Sequence, residues 1–140
     1  MKTRAQTILI ILITAMLLTA CSLPNFHLGN VSFGEIRIAM IGSSLPGEMS
    51  YSFRTFKGYE SRSFDAVEGE TITLDYQAQV DKGSLTLILE DPNGDIAWQI
   101  PLEDGLDDRA EVKVSQTGKY RIAVSAENAG GSFTVQWEVE

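Results

Sequence analysis

From Ile36 to the end of the chain, apolar and polar residues alternate with period two. Ile36, Ile38 and Met40 alternate with Arg37 and Ala39, and Met49, Tyr51 and Phe53 with Ser50, Ser52 and Arg54. Ile72, Leu74, Tyr76, Ala78 and Val80 form the clearest stripe, and Leu85, Leu87 and Leu89 the next. Ile96, Trp98 and Ile100 read as a further inward row, with Pro101 marking a strand end or edge. Val112 and Val114, then Tyr120 to Ala126, then Phe133 to Val139 complete the series. Successive side chains of an extended chain point to opposite faces, so this pattern predicts strands buried on one face. Between the stripes lie Leu45-Pro46-Gly47, Glu68-Gly69-Glu70, Asp81-Lys82-Gly83, Asp91-Pro92-Asn93-Gly94-Asp95, Gln116-Thr117-Gly118-Lys119 and Asn128-Ala129-Gly130-Gly131. Each is rich in the residues that turns and bulges require. No helical stripe appears after Cys21. The expectation is an all-β fold, an antiparallel β-sandwich or jelly roll of about eight to nine strands.

The beginning of the chain follows a different rule. Lys2 and Arg4 precede an uncharged stretch of 16 residues, Ala5 to Ala20, dominated by Ile8 to Ile13 and Ala15 to Leu18. Basic head, apolar middle and small residues before a cut are the layout of a cleavable secretory signal. The stretch is short for a permanent span, which needs about 20 apolar residues. It ends in Leu18-Thr19-Ala20-Cys21, which resembles the lipobox of bacterial lipoproteins. That resemblance implies cleavage after Ala20 and a diacylglyceryl thioether on Cys21, with small side chains at Thr19 and Ala20 admitting the peptidase. Two acyl chains hold stably where a single myristoyl chain is marginal. The implied organisation is a signal peptide (1–20), a lipidated Cys with a tether (21–34) and a sandwich domain (35–140). Pro24, Asn25, Gly29 and Asn30 suit a tether, although Phe26, Leu28, Val31 and Phe33 are more apolar than a plain linker. The implied location is a bacterial cell membrane or outer membrane, with the domain facing out of the cytoplasm.

Charge narrows the partners. All 19 acidic residues follow Cys21, whereas two of the 11 basic ones precede it, leaving nine against 19, or −10, in the remainder. Such a domain repels phosphate backbones, so nucleic acid is excluded as a partner. It is also repelled by anionic lipid, so its contact with the bilayer would be through acylated Cys21. Cys21 and His27 are the only Cys and His. No disulfide, no Cys-based zinc site and no Ser-His-Asp triad can therefore be built in the domain.

The segment from Phe64 to Trp137 also resembles a recurring extracytoplasmic sandwich. It carries Phe64-x-Ala66-x-x-x-Glu70, Gly83-x-Leu85-x-Leu87, Asp91-Pro92-x-Gly94, Thr117-Gly118-x-Tyr120 and Gly131-x-Phe133-x-Val135-x-Trp137. Bacterial pre-peptidase C-terminal domains and GOLD-type sandwiches are similar. The resemblance implies a non-catalytic accessory or interaction domain.

The remaining candidates for chemistry are few. Asp91, Asn93 and Asp95 place oxygen ligands at alternate positions, as a Ca²⁺ loop would, but lack the rest of an EF-hand pattern and suit a turn better. The acidic run Glu103-Asp104-Gly105-Leu106-Asp107-Asp108 reads as a loop, and Asp107 and Asp108 would join a Ca²⁺ site only if the two segments met at one end of the sandwich. A solvated acidic loop is the simpler reading. Without a cleft to hold two facing carboxylates, the same residues make a poor glycosidase pair. Tyr59 and Trp98 are the candidates for a ligand-binding aromatic surface, whereas Trp137 shares a core stripe with Phe133 and Val135. The expected function is a non-catalytic, membrane-anchored module binding a surface protein or a glycan. The alternatives are a structural envelope lipoprotein without a small ligand and, more remotely, a small hydrolase.

Overall fold

Three strands of unusual length dominate the chain. The computed structural model describes residues 34–140. The signal segment, the lipobox Leu18-Thr19-Ala20-Cys21 and the tether up to residue 33 lie outside the described residues. Seven strands follow: β1 (Ile36–Ile38), β2 (Ile41–Leu45), β3 (Glu48–Ala66), β4 (Thr71–Glu90), β5 (Ile96–Leu102), β6 (Leu106–Lys113) and β7 (Gly118–Val139). At 20 residues, β4 would span about 66 Å if straight, far beyond the five or six residues of a usual strand. Instead β3, β4 and β7 each bend near the middle. Register shifts mark the bends between Phe53 and Gly58 in β3 and between Val80 and Ser84 in β4. In β7 the bend lies opposite, at Gly130 and Gly131, which pair with Lys82 and Val80.

Each bent strand therefore serves two layers. Layer one runs β2, first half of β3, second half of β7, first half of β4, β6. Layer two runs β1, second half of β3, first half of β7, second half of β4, β5. All pairings are antiparallel. The layers face each other through the residues of the period-two stripes: Phe64 of layer two lies 5.8 Å from Trp137 of layer one, and Tyr76 of layer one 5.7 Å from Trp98 of layer two. Ile72, Leu74, Leu87, Leu89, Ile122 and Val124 are fully buried between them. The fold is an all-β antiparallel sandwich of jelly-roll type.

The differences from the sequence expectation have physical causes. Seven strands replace eight or nine because Asp81-Lys82-Gly83 and Asn128 to Gly131 make bends inside β4 and β7 rather than reversals. The run Glu103 to Asp108 is only partly a loop, since β6 begins at Leu106 and carries Asp107 and Asp108 into the sheet beside Gln77 and Tyr76. Ile96 faces solvent because a bulge between Leu89 and Glu90 sets it opposite Glu90 rather than on the inward row of Trp98. In β1 the expected alternation is inverted. Arg37 pairs with buried Phe56, lies 5.6 Å over its ring and forms an ion pair with Glu60, leaving Ile36 and Ile38 outside.

Glu60 is the one buried charged residue among those described. It and Arg62 occupy inward positions on β3, opposite Val124 and Ile122. Arg62 crosses to layer one, donating to the hydroxyl of Ser44 and reaching that of Tyr51 at 3.5 Å. The β1/β2 side of the sandwich is thus closed by a polar seam, where a core of hydrocarbon would otherwise meet water.

Candidate functional site

The outward positions of layer one form a continuous polar floor. Strand register lines up Ser43, Ser50, Thr134, Gln77 and Asp107 as one rung across five strands. Ser52, Ser132 and Gln79 form the rung on one side, ending in Ile41 of β2. Glu48, Gln136, Asp75 and Arg109 form the rung on the other. Strands about 4.8 Å apart give each full rung a length of about 19 Å. The apolar half of each stripe goes to the core, so what remains outside is hydroxyl and amide chemistry with few charges.

Three adjoining shallow depressions indent this face, with volumes of about 380, 350 and 360 Å³. Thr134 lines all three, and Gln77 and Asp107 line two. The buried ring of Phe133 underlies the first two, packed 5.7 Å from Tyr51 and 6.0 Å from Phe53. Part of the floor is held in place internally: the hydroxyls of Ser50 and Thr134 lie 3.0 Å apart, and Gln136 donates to Glu48 at 2.8 Å. Gln77, Gln79, Ser52, Ser132 and Asp107 make no side-chain hydrogen bond to other described residues. Their donors and acceptors face the trough. An amide offers two donors and an acceptor, and a hydroxyl offers both, so the trough can match a ligand studded with hydroxyls.

The opposite, outer face of layer two holds a different group. Tyr59 on β3 donates to Glu90 on β4 at 2.8 Å, and Arg121 on β7 donates to the same carboxylate from Nε at 2.7 Å. The Arg121 guanidinium sits 5.9 Å from the Tyr59 ring centre. Tyr59 remains 38% exposed. Burial, then the hydrogen bond to Glu90, pushes its hydroxyl up to about 12. Burial would raise Glu90, but the hydrogen bonds from Tyr59 and Arg121 outweigh it and hold the carboxyl below its ordinary value.

The other residues singled out by sequence are dispersed. Trp98 is half-buried against Tyr76 and bridges the layers at the β5/β6 side. Asp91 uses Oδ1 to accept from the backbone N–H of Asn93 at 2.8 Å and of Asp95 at 3.0 Å, and Oδ2 to accept from Gln116 at 3.0 Å. Its carboxylate closes the β4–β5 turn. Asp108 accepts from the N–H of Arg109 at 2.8 Å. The turn caps the far end of β4, whereas Asp107 and Asp108 pair with Gln77 and Tyr76 in its other half, so the two segments do not meet. Among the described residues no three acidic, His or Cys side chains gather to hold a metal. The trough itself was not singled out by sequence, although its signal was present: the polar partners in these stripes are mostly Ser, Thr and Gln rather than Lys or Glu.

No family model and no curated protein matches the chain. The likeness of Phe64 to Trp137 to pre-peptidase and GOLD-type sandwiches therefore rests on strand and turn pattern alone. Similar solved structures include TmCBM61 in complex with β-1,4-galactotriose, at 15% identity and a TM-score of 0.44, covering 72% of this chain and 70% of that one. A carbohydrate-binding module from Cellvibrio mixtus lichenase 5A, in complex with cellotriose, has 16% identity and a TM-score of 0.44, covering 74% and 85%. PliG of Aeromonas hydrophila, a periplasmic inhibitor of g-type lysozyme, has 16% identity and a TM-score of 0.40, covering 69% and 92%. At these identities and scores the similarities assign neither a family nor a ligand.

Proposed function

We propose that this chain is a lipid-anchored, extracytoplasmic module that binds a neutral glycan along the trough of layer one. The observation that carries the reading is the row of hydroxyl and amide side chains Ser52, Gln77, Gln79, Ser132 and Thr134 along three contiguous depressions, with the carboxylates Asp75 and Asp107 confined to the β6 end. A pyranose ring is about as long as the spacing between strands, so a linear oligosaccharide lying across them meets one rung position per sugar. Asp75 and Asp107 at the β6 end disfavour an anionic sugar. Among the described residues the one hydroxyl–hydroxyl contact of the trough joins Ser50 to Thr134, and binding requires no pairing of a hydroxyl with Asp75 or Asp107. The anchor is supported by Leu18-Thr19-Ala20-Cys21 and the apolar segment before it.

Titration calorimetry of the membrane-extracted protein with β-1,4-linked neutral trisaccharides tests the trough. Gln77→Ala removes one or two hydrogen bonds of about 1 kcal/mol each and should weaken binding by about five- to thirtyfold. Absence of heat with every neutral oligosaccharide, or binding indifferent to both Gln77→Ala and Ser132→Ala, would overturn the site. Intact mass of the extracted protein tests the anchor, since a chain beginning at Cys21 must carry acyl mass that Cys21→Ser lacks.

A further inference from the structure

The two sides of the sandwich differ in charge and in exposed hydrocarbon. In strand order β1 and β2 form one side, β3, β7 and β4 follow, and β5 and β6 form the other. Residues 34–66, which make β1 to β3, carry four basic and four acidic side chains. Residues 67–117, which make β4 to β6, carry three basic and twelve acidic ones, or −9. The acidity of the domain is therefore concentrated on one side.

Of the six exposed large aliphatics among the described residues, four lie on the other side, while Val67 (55%) follows β3 and Ile96 (57%) stands alone on β5. Ile36 is 43% exposed, Ile38 50%, Ile41 78% and Leu45 60%, all on the two short strands of the neutral side. Ile36 and Ile38 share the outer face of layer two with Lys57 and Thr55, and Ile41 and Leu45 that of layer one with Ser52 and Glu48. The four aliphatics thus straddle a single edge. Protein interiors normally take such side chains, and here the inward places belong to Arg37 and the polar seam behind it.

We infer that this edge rests on the lipid bilayer, at the level of the headgroups, and orients the module on the membrane. The inference rests on the proposed anchor at Cys21. Twelve residues separate Cys21 from Gly34, and the chain enters the domain at β1, on this edge. Even a fully extended chain of that length reaches only about 40 Å, a distance comparable with the width of a domain whose radius of gyration is about 13 Å. With Cys21 acylated, the entry edge would be the part of the domain joined to the lipid by the shortest stretch of chain. It is neutral overall and apolar at its surface, which favours burial in the interfacial zone, and it turns the −9 side away from the bilayer surface. The trough then runs from Ile41 at the bilayer side to Asp107 on the far side, so a bound chain projects outward.

The experiment uses the acylated protein in phosphatidylcholine vesicles with brominated acyl chains. With Cys21 acylated, Ile38→Cys and Leu45→Cys each provide the sole free thiol for a bimane label, and Gln99→Cys on β5 provides the control. Contact with the bilayer predicts bromine quenching of about twofold at positions 38 and 45 and almost none at 99, as a depth of about 5–10 Å requires. Flotation of acylated protein with equal quenching at all three positions overturns the orientation while leaving the anchor intact. Protein that carries no acyl mass and stays off the vesicles overturns both. Labels at 38 and 45 that are shielded only in a concentration-dependent dimer would assign the edge to a second copy and overturn the membrane contact.

Discussion

Replacing Gly131 by Ala would test whether the bend of β7 is what allows one strand to serve two layers. Gly131 has φ +137, and a Cβ there would lie 1.9 Å from the Gln79 carbonyl oxygen and 2.9 Å from its carbon. Both atoms are backbone of β4, so no rotamer change relieves the collision. Gly94, in the β4–β5 turn, is the matched control: φ is +88, but an added Cβ meets nothing within 4 Å. Both substitutions incur backbone strain of about 1 kcal/mol. Gly131→Ala must also push β4 and β7 apart at the bend, which adds about 2 kcal/mol in lost hydrogen bonding and displaced core. With an m value of about 1.5 kcal/mol per molar urea, the midpoint should fall by about 2 M for Gly131→Ala and by under about 1 M for Gly94→Ala. Equal losses would refute the argument, because they would mean the strands separate at the bend without cost. Gln79 lines the trough, so Gly131→Ala should also weaken glycan binding in the fraction that remains folded.

Three further outcomes follow from the packing. Arg37→Met leaves the buried Glu60 carboxylate without its partner and should cost about 1–3 kcal/mol, most of it recovered when Glu60→Gln is added; simple additivity in a urea double-mutant cycle would contradict the seam. Because Glu90 is held below its ordinary value, its contribution is complete above the unfolded carboxylate pKa of about 4.3 and is lost as pH falls through the folded value. Tyr59, raised to about 12, acts in the opposite sense, with stability lost as pH rises from about 10. Glu90→Gln should flatten the acid limb and return the Tyr59 phenolate transition toward about 10 in an absorbance titration, and no change in either would refute the cluster. Phe133→Ala empties the floor of the trough and should cost about 3–5 kcal/mol in urea unfolding, with Phe133→Leu costing less; a loss under about 1 kcal/mol would show that the ring supports nothing.

The sequence was most informative where burial and alternation coincide. Ile72 to Ala78 and Phe133 to Trp137 fill the core as their stripes predict, because a one-sided strand leaves no other placement for those side chains. It was least informative where one residue type serves two geometries. Gly83 and Gly131 look like hairpin residues, yet here they sit within strands, and only the partner strands decide between a reversal and a bend. The second half of β3 was hidden for a related reason. Glu60 and Arg62 stand at inward positions, so the stripe breaks where the polar seam begins, and their partners come from distant segments. The trough escaped because its evidence is the plain half of a familiar pattern. Ser50, Ser52, Gln77, Gln79 and Thr134 each read as ordinary solvent-facing residues until register places them side by side.

The bent strands also govern how the domain can open. In a sandwich whose layers are made of separate strands, one layer can loosen while the other stays paired. Here β3, β4 and β7 each carry hydrogen bonds in both layers, so fraying either layer pulls on the other through continuous backbone. Amide protons of these three strands should therefore exchange as one cooperative unit, at the free energy of global unfolding. The short strands β1, β2, β5 and β6 each pair along one side only, and they can detach singly at lower free energy. A pull on the chain at Gly34 would peel away β1 and then β2, releasing slack while the three-strand frame keeps its shape.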